Sequence, residues 1–146
     1  FGVGTKMGVS SDAPYFDMAY KMVRYAGRPV LKLSPGKATL PDSKQVFRFR
    51  DLRGKLKRDV IGLRDDDPRG GERLLKQVMS KGRIQGRMPS LSRIQKRFLT
   101  EFEDLEARYK SIDKGRRKYP VSLSPRLRRL QSRIIQNIRD KELGES

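Results

Sequence analysis

The sequence contains no cysteine and no histidine. The first absence removes disulfides, thiolate nucleophiles and zinc-thiolate sites together. The second removes imidazole acid/base chemistry, His-ligated metal and phosphohistidine formation from these residues. Tryptophan is missing too, and aromatic residues make up only 8% of the 146 residues, so any core is thin. No window approaches the roughly 18 consecutive apolar residues that a membrane-spanning helix needs. The chain starts at Phe1 and runs straight into a glycine-rich segment, without the basic and then apolar pattern of an export leader. Together these absences lead us to expect a cytoplasmic, soluble piece of a longer chain.

Positive charge is what the sequence has in abundance: 35 Lys and Arg against 17 Asp and Glu, a formal net charge of +18. Such an excess favours a nucleic-acid partner through counterion release from phosphates. A nucleic-acid site also combines its charge with stacking rings, and aromatic residues are sparse around the basic runs Lys55–Arg58, Gly115–Lys118 and Arg126–Arg129. We therefore read these runs as solvated basic faces. A small basic nucleic-acid-binding module, like a ribosomal protein, is the alternative from a different functional class.

The first 16 residues are rich in Gly, Ser, Asp and Pro and read as loop. Ser10, Ser11 and Asp12 are accounted for by turn formation ahead of Pro14. Two apolar-rich runs, Ala19–Tyr25 and Pro29–Leu33, flank Ala26-Gly27-Arg28, a break of the kind that closes a β-hairpin. Tyr20, Met22 and Val23 are expected to pack inward. Turn-forming Ser34-Pro35-Gly36 and Pro41-Asp42-Ser43 precede three runs read as strands, Gln45–Phe49, Leu56–Leu63 and Arg73–Met79. Arg64–Gly71 carries Asp65, Asp66 and Asp67 side by side and reads as a polar surface loop whose acids would repel one another if held close. A metal site there is conceivable, but none is assigned.

From Leu91 the period changes. Leu91, Ile94, Phe98, Phe102, Leu105 and Tyr109 recur at three- and four-residue steps and so lie on one helical stripe, capped by Ser90. Phe98 and Phe102 are read as helix core. A second helix starts at Ser124 with Pro125 in its first turn, where the missing amide hydrogen costs nothing, and turns Leu127, Leu130, Ile134, Ile135 and Ile138 inward. The two stripes are expected to pack on each other or on the strands. The polar tail Lys141–Ser146 is expected to fray.

The chemistry-bearing element comes first in the chain. In Phe1-Gly2-Val3-Gly4-Thr5, two glycines flank Val3, so several backbone amides can converge on one point while the Thr5 hydroxyl closes the ring. That is a cradle for a phosphate-sized anion; a Cβ at either glycine would hold the backbone away from the oxygens. Gly-Val-Gly also occurs in ordinary tight turns between strand and helix, so the five residues alone leave both readings open.

The surrounding sequence carries a resemblance. FGVGTKMGVSSDAPYFDMAYKMVRYAGRPVLKLSPGKATLPDSKQVFR, from Phe1 to Arg48, closely resembles the region of nicotinate phosphoribosyltransferases that closes the catalytic barrel. The likeness continues more loosely through DLRGKLKRDVIGL, GGERLLKQVM, PSLSRIQKRF and YPVSLSPRL. It implies a mixed α/β or α+β fold: the tail of an irregular α/β barrel of the type II phosphoribosyltransferase kind, then a small β-rich return segment and two C-terminal helices. Residues 1–17 would end the barrel with its phosphate loop, 18–86 would form the β-rich segment against a missing N-terminal domain, and 87–146 the helical segment. Gly2, Val3, Gly4 and Thr5 would hold the 5′-phosphate of phosphoribosyl pyrophosphate, as loops of such barrels do.

In this family the nicotinate nitrogen displaces pyrophosphate at the anomeric carbon, with Mg2+ on the pyrophosphate and ATP hydrolysis coupled through a phosphorylated histidine, on the route to NAD. Since the chain has no histidine, the resemblance implies that the catalytic residues and most of the Mg2+ and ATP contacts lie upstream, that the fragment alone is inactive, and that the whole enzyme is a homodimer. Tyr15, Phe16 and Tyr20 read as packing against the barrel, with stacking on the nicotinate ring as the sharper alternative. Two departures from the family, the high Lys and Arg content and the lack of a C-terminal cysteine cluster seen in some members, do not touch the phosphate loop. A non-catalytic relative that keeps the scaffold is a third reading.

Overall fold

The computed structural model describes residues 21–36, 38–111 and 118–143. The expected hairpin is present as two short strands, β1 (Arg24–Tyr25) and β2 (Arg28–Pro29), with Arg24 opposite Pro29 and Tyr25 opposite Arg28. Its two-residue turn takes Ala26 and Gly27 to φ of 45° and 75°, the doubly positive pair of a primed turn whose twist matches the strands. Met22 does not pack inward: it is 62% exposed. The hairpin is tied down by polar contacts instead, the Val23 carbonyl accepting from the Val30 and Asp42 amides and Arg24 pairing with Asp42 at 3.0 Å. Tyr20 lies outside the described residues.

The main sheet has four strands in the order β5-β3-β4-β8. Strands β3 (Lys44–Arg50) and β4 (Leu56–Leu63) form its long antiparallel centre, as the alternation of KQVFRFR predicts. That alternation puts Gln45 and Phe47 on the buried face, at 5% and 1% exposure. Strand β5 (Glu72–Arg73) pairs antiparallel with β3, and β8 (Val121–Leu123) runs parallel to β4.

The expected strand Arg73–Met79 is not one strand. Only its ends are extended and paired, in β5 and in a separate small hairpin of β6 (Met79–Ser80) and β7 (Arg83–Ile84). The reason is Gln45. Its side-chain amide donates to the Leu75 carbonyl at 3.0 Å and accepts from the Leu75 amide at 2.7 Å, so a side chain takes the bonds that a neighbouring strand would make.

Helix α1 (Leu91–Asp104) begins as expected, with the Ser90 hydroxyl accepting from the Arg93 amide. It ends earlier than the apolar period implies: Leu105 is an extended cap, and Tyr109 sits in a separate turn, α2 (Ala107–Lys110). Phe98 and Phe102 are not core. They are 61% and 43% exposed and stack on each other at 5.9 Å, while Leu91 is 85% exposed. The helix is attached to the sheet through its acidic residues, Glu101 to Arg48 and Asp104 to Arg50, which leaves the apolar stripe uncovered among the described residues.

Helix α3 (Pro125–Ile138) behaves as the sequence predicts. The Ser124 hydroxyl accepts from the Leu127 amide, Pro125 opens the first turn, and Leu127 is fully buried where α3 packs on β4. Leu130, Ile134, Ile135 and Ile138 are half-buried on the same side. A π-helical turn, Arg139–Leu143, follows.

Gly62, in β4, has no room for a side chain. A Cβ there would lie 2.6 Å from the Asp66 Oδ2 and 3.0 Å from Phe47. We predict that Gly62→Ala lowers stability by about 1–3 kcal/mol, the usual cost of forcing atoms into a packed site. Urea unfolding measures this, and an unchanged midpoint would mean that the Asp66 carboxylate yields without loss.

Candidate functional site

The residues expected to hold phosphate, Gly2, Val3, Gly4 and Thr5, lie outside the described residues, as do Ser10, Ser11, Asp12, Tyr15 and Phe16. What the structure describes is the polar framework beyond them.

Asp66 is its first element. The acidic run was expected to stay on the surface, with its carboxylates apart; Asp66 is instead 8% exposed. Its Oδ2 accepts from the Leu63 amide at 2.9 Å and the Ser124 hydroxyl at 2.7 Å, and its Oδ1 accepts from Arg126 at 2.8 Å. The same Arg126 guanidinium donates to Asp65 at 3.1 Å, and this hydrogen bond holds the Asp65 carboxyl below its usual range. The predicted mutual repulsion is thus relieved by an arginine and a helix cap, both supplied from about sixty positions later in the chain. Among the described residues no three Asp or Glu converge as a metal ligand set.

Arg48 is the second element. It faces Asp59 across the β3–β4 pair and grips it with two bonds, 3.1 Å and 2.9 Å, while its remaining nitrogen reaches Glu101 on α1 at 2.9 Å. Arg48 is only 16% exposed and Asp59 11%, and the hydrogen bonds that Arg48 donates to Asp59 raise the guanidinium pKa above its ordinary value. Tyr119 donates its hydroxyl to the same Asp59 at 3.2 Å, just ahead of β8. From the sequence Asp66 was read only as part of an exposed acidic loop, and the Arg48–Asp59 pair was not picked out. The alternation of β3 and β4 places Arg48 and Asp59 on one face, yet the register that makes them partners depends on the tight turn between the strands.

The third element is an open cleft of about 590 Å³ between the hairpin, the end of β4 and α3. Arg24, Arg64, Arg73 and Arg126 line it, with Asp42 and Asp65. The basic runs divide: Arg58 of the first lies over the Phe49 ring at 4.4 Å, Arg126 of the last enters this cleft, and 112–117 fall outside the described residues.

Residues 68–131 match the family model described as the nicotinate phosphoribosyltransferase C-terminal domain. A nicotinate phosphoribosyltransferase of Mycobacterium tuberculosis (strain ATCC 25618 / H37Rv) is 36% identical over 128 residues, covering 87% of this chain and 27% of that protein. The chain is related to the C-terminal part of nicotinate phosphoribosyltransferases. The mouse nicotinate phosphoribosyltransferase is 29% identical over 153 residues, covering 88% of this chain and 28% of its own. A crystal structure of human nicotinic acid phosphoribosyltransferase superposes with a TM-score of 0.67 at 22% identity, over 80% of this chain and 26% of that one. At that identity the superposition speaks to the mixed sheet-and-helix fold alone. The chain spans about a quarter of the length of the curated relatives it matches. The matched stretch 68–131 includes GGERLLKQVM, PSLSRIQKRF and YPVSLSPRL, where the resemblance to nicotinate phosphoribosyltransferases was looser than in the first 48 residues.

Burial, helped by the neighbouring Asp59 carboxylate, pushes the Tyr119 phenol from its ordinary 10.0 up to about 12. The folded state therefore holds this proton more tightly than the unfolded state does. The corresponding stability is complete below 10.0 and is lost as pH rises through about 12. We predict that Tyr119→Phe flattens the alkaline fall of the urea midpoint across that window; an equally steep fall in the variant would assign it to other groups.

Proposed function

We propose that this chain is the C-terminal part of a nicotinate phosphoribosyltransferase, which forms nicotinate mononucleotide from nicotinate and phosphoribosyl pyrophosphate, with ATP hydrolysis, on the route to NAD. The observation that carries the reading is the 36% identity to the mycobacterial nicotinate phosphoribosyltransferase across 87% of the chain. The human fold likeness over 80% of the chain supports it.

In this reading Gly2, Val3, Gly4 and Thr5 hold the 5′-phosphate at the end of an irregular barrel, fixing the ribose so that its anomeric carbon faces the nicotinate nitrogen. The contribution is orientation, which lowers the entropic cost of bringing two substrates together. The histidine to be phosphorylated is absent from the chain, so it is assigned to the remaining part of the enzyme, together with the nicotinate and pyrophosphate contacts. Mg2+ and ATP are assigned there as well, since Asp59, Asp66 and Asp104 are engaged by Arg48, Arg126, Ser124 and Arg50. A cytoplasmic homodimer is part of the same proposal; among the described residues no helix is long and apolar enough to cross a membrane.

Nicotinate-dependent release of pyrophosphate from phosphoribosyl pyrophosphate, with and without ATP, tests the reading in the full protein that carries this chain. Release stimulated by ATP is expected; no release under either condition would turn the assignment toward a non-catalytic relative. Gly4→Val should raise the KM for phosphoribosyl pyrophosphate by at least roughly tenfold, equivalent to about 1.4 kcal/mol of lost binding, with the thermal unfolding midpoint nearly unchanged. Unaltered kinetics would remove the loop from the mechanism.

A further inference from the structure

The arginine-lined cleft has a neighbour. A second hollow, of about 530 Å³, shares Asp42, Leu63 and Arg126 with it and adds Arg129, Leu130 and Arg133 from α3. Each volume falls within the range of small-molecule sites. The two hollows together bring six arginines, Arg24, Arg64, Arg73, Arg126, Arg129 and Arg133, against two lining carboxylates, Asp42 and Asp65.

These arginines divide by how they are held. Arg24 is fixed by Asp42 at 3.0 Å and by the Gly27 carbonyl at 2.8 Å. Arg73 donates to the Asp66 and Arg64 carbonyls, and Arg126 is clamped by Asp65 and Asp66. These three guanidiniums stand in place before any ligand arrives. The other three have capacity to spare: Arg64 makes one long contact with Gln77 at 3.4 Å, and Arg129 and Arg133 form no ion pair or side-chain hydrogen bond with any described residue.

Arg126, Arg129 and Arg133 recur at three- and four-residue steps and therefore share one face of α3. Like charges so spaced repel, and the surplus of 18 positive charges over the chain deepens the potential around them. Guanidinium groups bind phosphate oxygens through paired N–H donors. Among the described residues no aromatic ring lines either hollow, so they offer a nucleobase no stacking surface there.

We propose that the double hollow between the β1–β2 hairpin and α3 is a binding site for a small oligophosphate anion, with Arg64, Arg129 and Arg133 as its ligand-gripping residues. None of its residues belongs to the Gly2–Thr5 loop, and the proposal does not rest on the proposed catalytic activity. Arg24, Arg73 and Arg126 form its preset wall, and the bound anion neutralises the arginine face of α3.

Inorganic tripolyphosphate is the probe, because it is neither substrate nor product of the proposed reaction. In titration calorimetry on the full protein we expect one saturable binding event whose affinity falls with added salt. The double variant Arg129→Gln/Arg133→Gln should weaken that event by at least roughly tenfold. Arg64→Gln, at the opposite end of the hollow, should weaken it as well. Both variants replace exposed side chains, and circular dichroism should show the fold retained. Nicotinate-dependent pyrophosphate release, measured on the same variants, should be unchanged, so the two readings stand or fall separately. Equal tripolyphosphate affinity in wild type and both variants would overturn the site. So would a single-stranded oligonucleotide that displaces tripolyphosphate at a lower phosphate concentration, which would make the arginine face a nucleic-acid surface.

Discussion

The carboxylate of Asp66 is the point on which the architecture turns. It sits at the end of β4, where the chain leaves the sheet, and collects a backbone amide, a serine hydroxyl and an arginine in one place. Removing that charged acceptor leaves the Leu63 amide and the Ser124 hydroxyl without their acceptor in a nearly buried position, which is far costlier than losing one exposed contact. Through Ser124 the same carboxylate sets the first turn of α3, because the hydroxyl that donates to Asp66 also accepts from the Leu127 amide. Gly62 completes the arrangement by leaving space for the carboxylate. One acid therefore governs where β4 ends, where α3 begins and how Leu127 enters the core.

Charge does a similar job on the other side of the sheet. With so few apolar residues available, the chain attaches α1 through Arg48–Glu101 and Arg50–Asp104 pairs instead of through the helix's apolar stripe. Arg48 is 16% exposed and is also gripped by the nearly buried Asp59, although Glu101 is 40% exposed, whereas Arg50 and Asp104 are both about a third exposed, so both tethers are open to salt. On α3, Arg126 meets Asp65 and Asp66, whereas Arg129 and Arg133 meet no carboxylate among the described residues.

Local signals were enough to find the hairpin, β3, β4 and both long helices, since each rests on a period or a cap contained in a few consecutive residues. Ser90 and Ser124 cap where a hydroxyl before an apolar period should cap. Errors arose where a distant residue intervenes. Gln45 replaces a strand partner for Leu75, Arg126 draws Asp65 and Asp66 together, and the ion pairs of Glu101 and Asp104 decide which side of α1 meets the sheet. Periodicity established that Phe98 and Phe102 share a face with Leu91, but not what that face would meet. The phosphate role of Gly2–Thr5 is an expectation from glycine spacing and family resemblance together, and the described residues add no geometry to it.

The parallel pairing of β4 with β8 has a consequence for how the molecule is made. Every other pairing in the sheet joins strands close in sequence, but β4 keeps an open edge until the chain reaches Val121. Closing a loop of that length is slow compared with hairpin formation. During synthesis, β3, β4 and β5 can therefore assemble first, with Ile61 and the Asp59 amide waiting for Ser124 and Pro120. In that interval the unpaired edge of β4 is a place where another strand could join, and β8 is the element whose arrival ends the exposure.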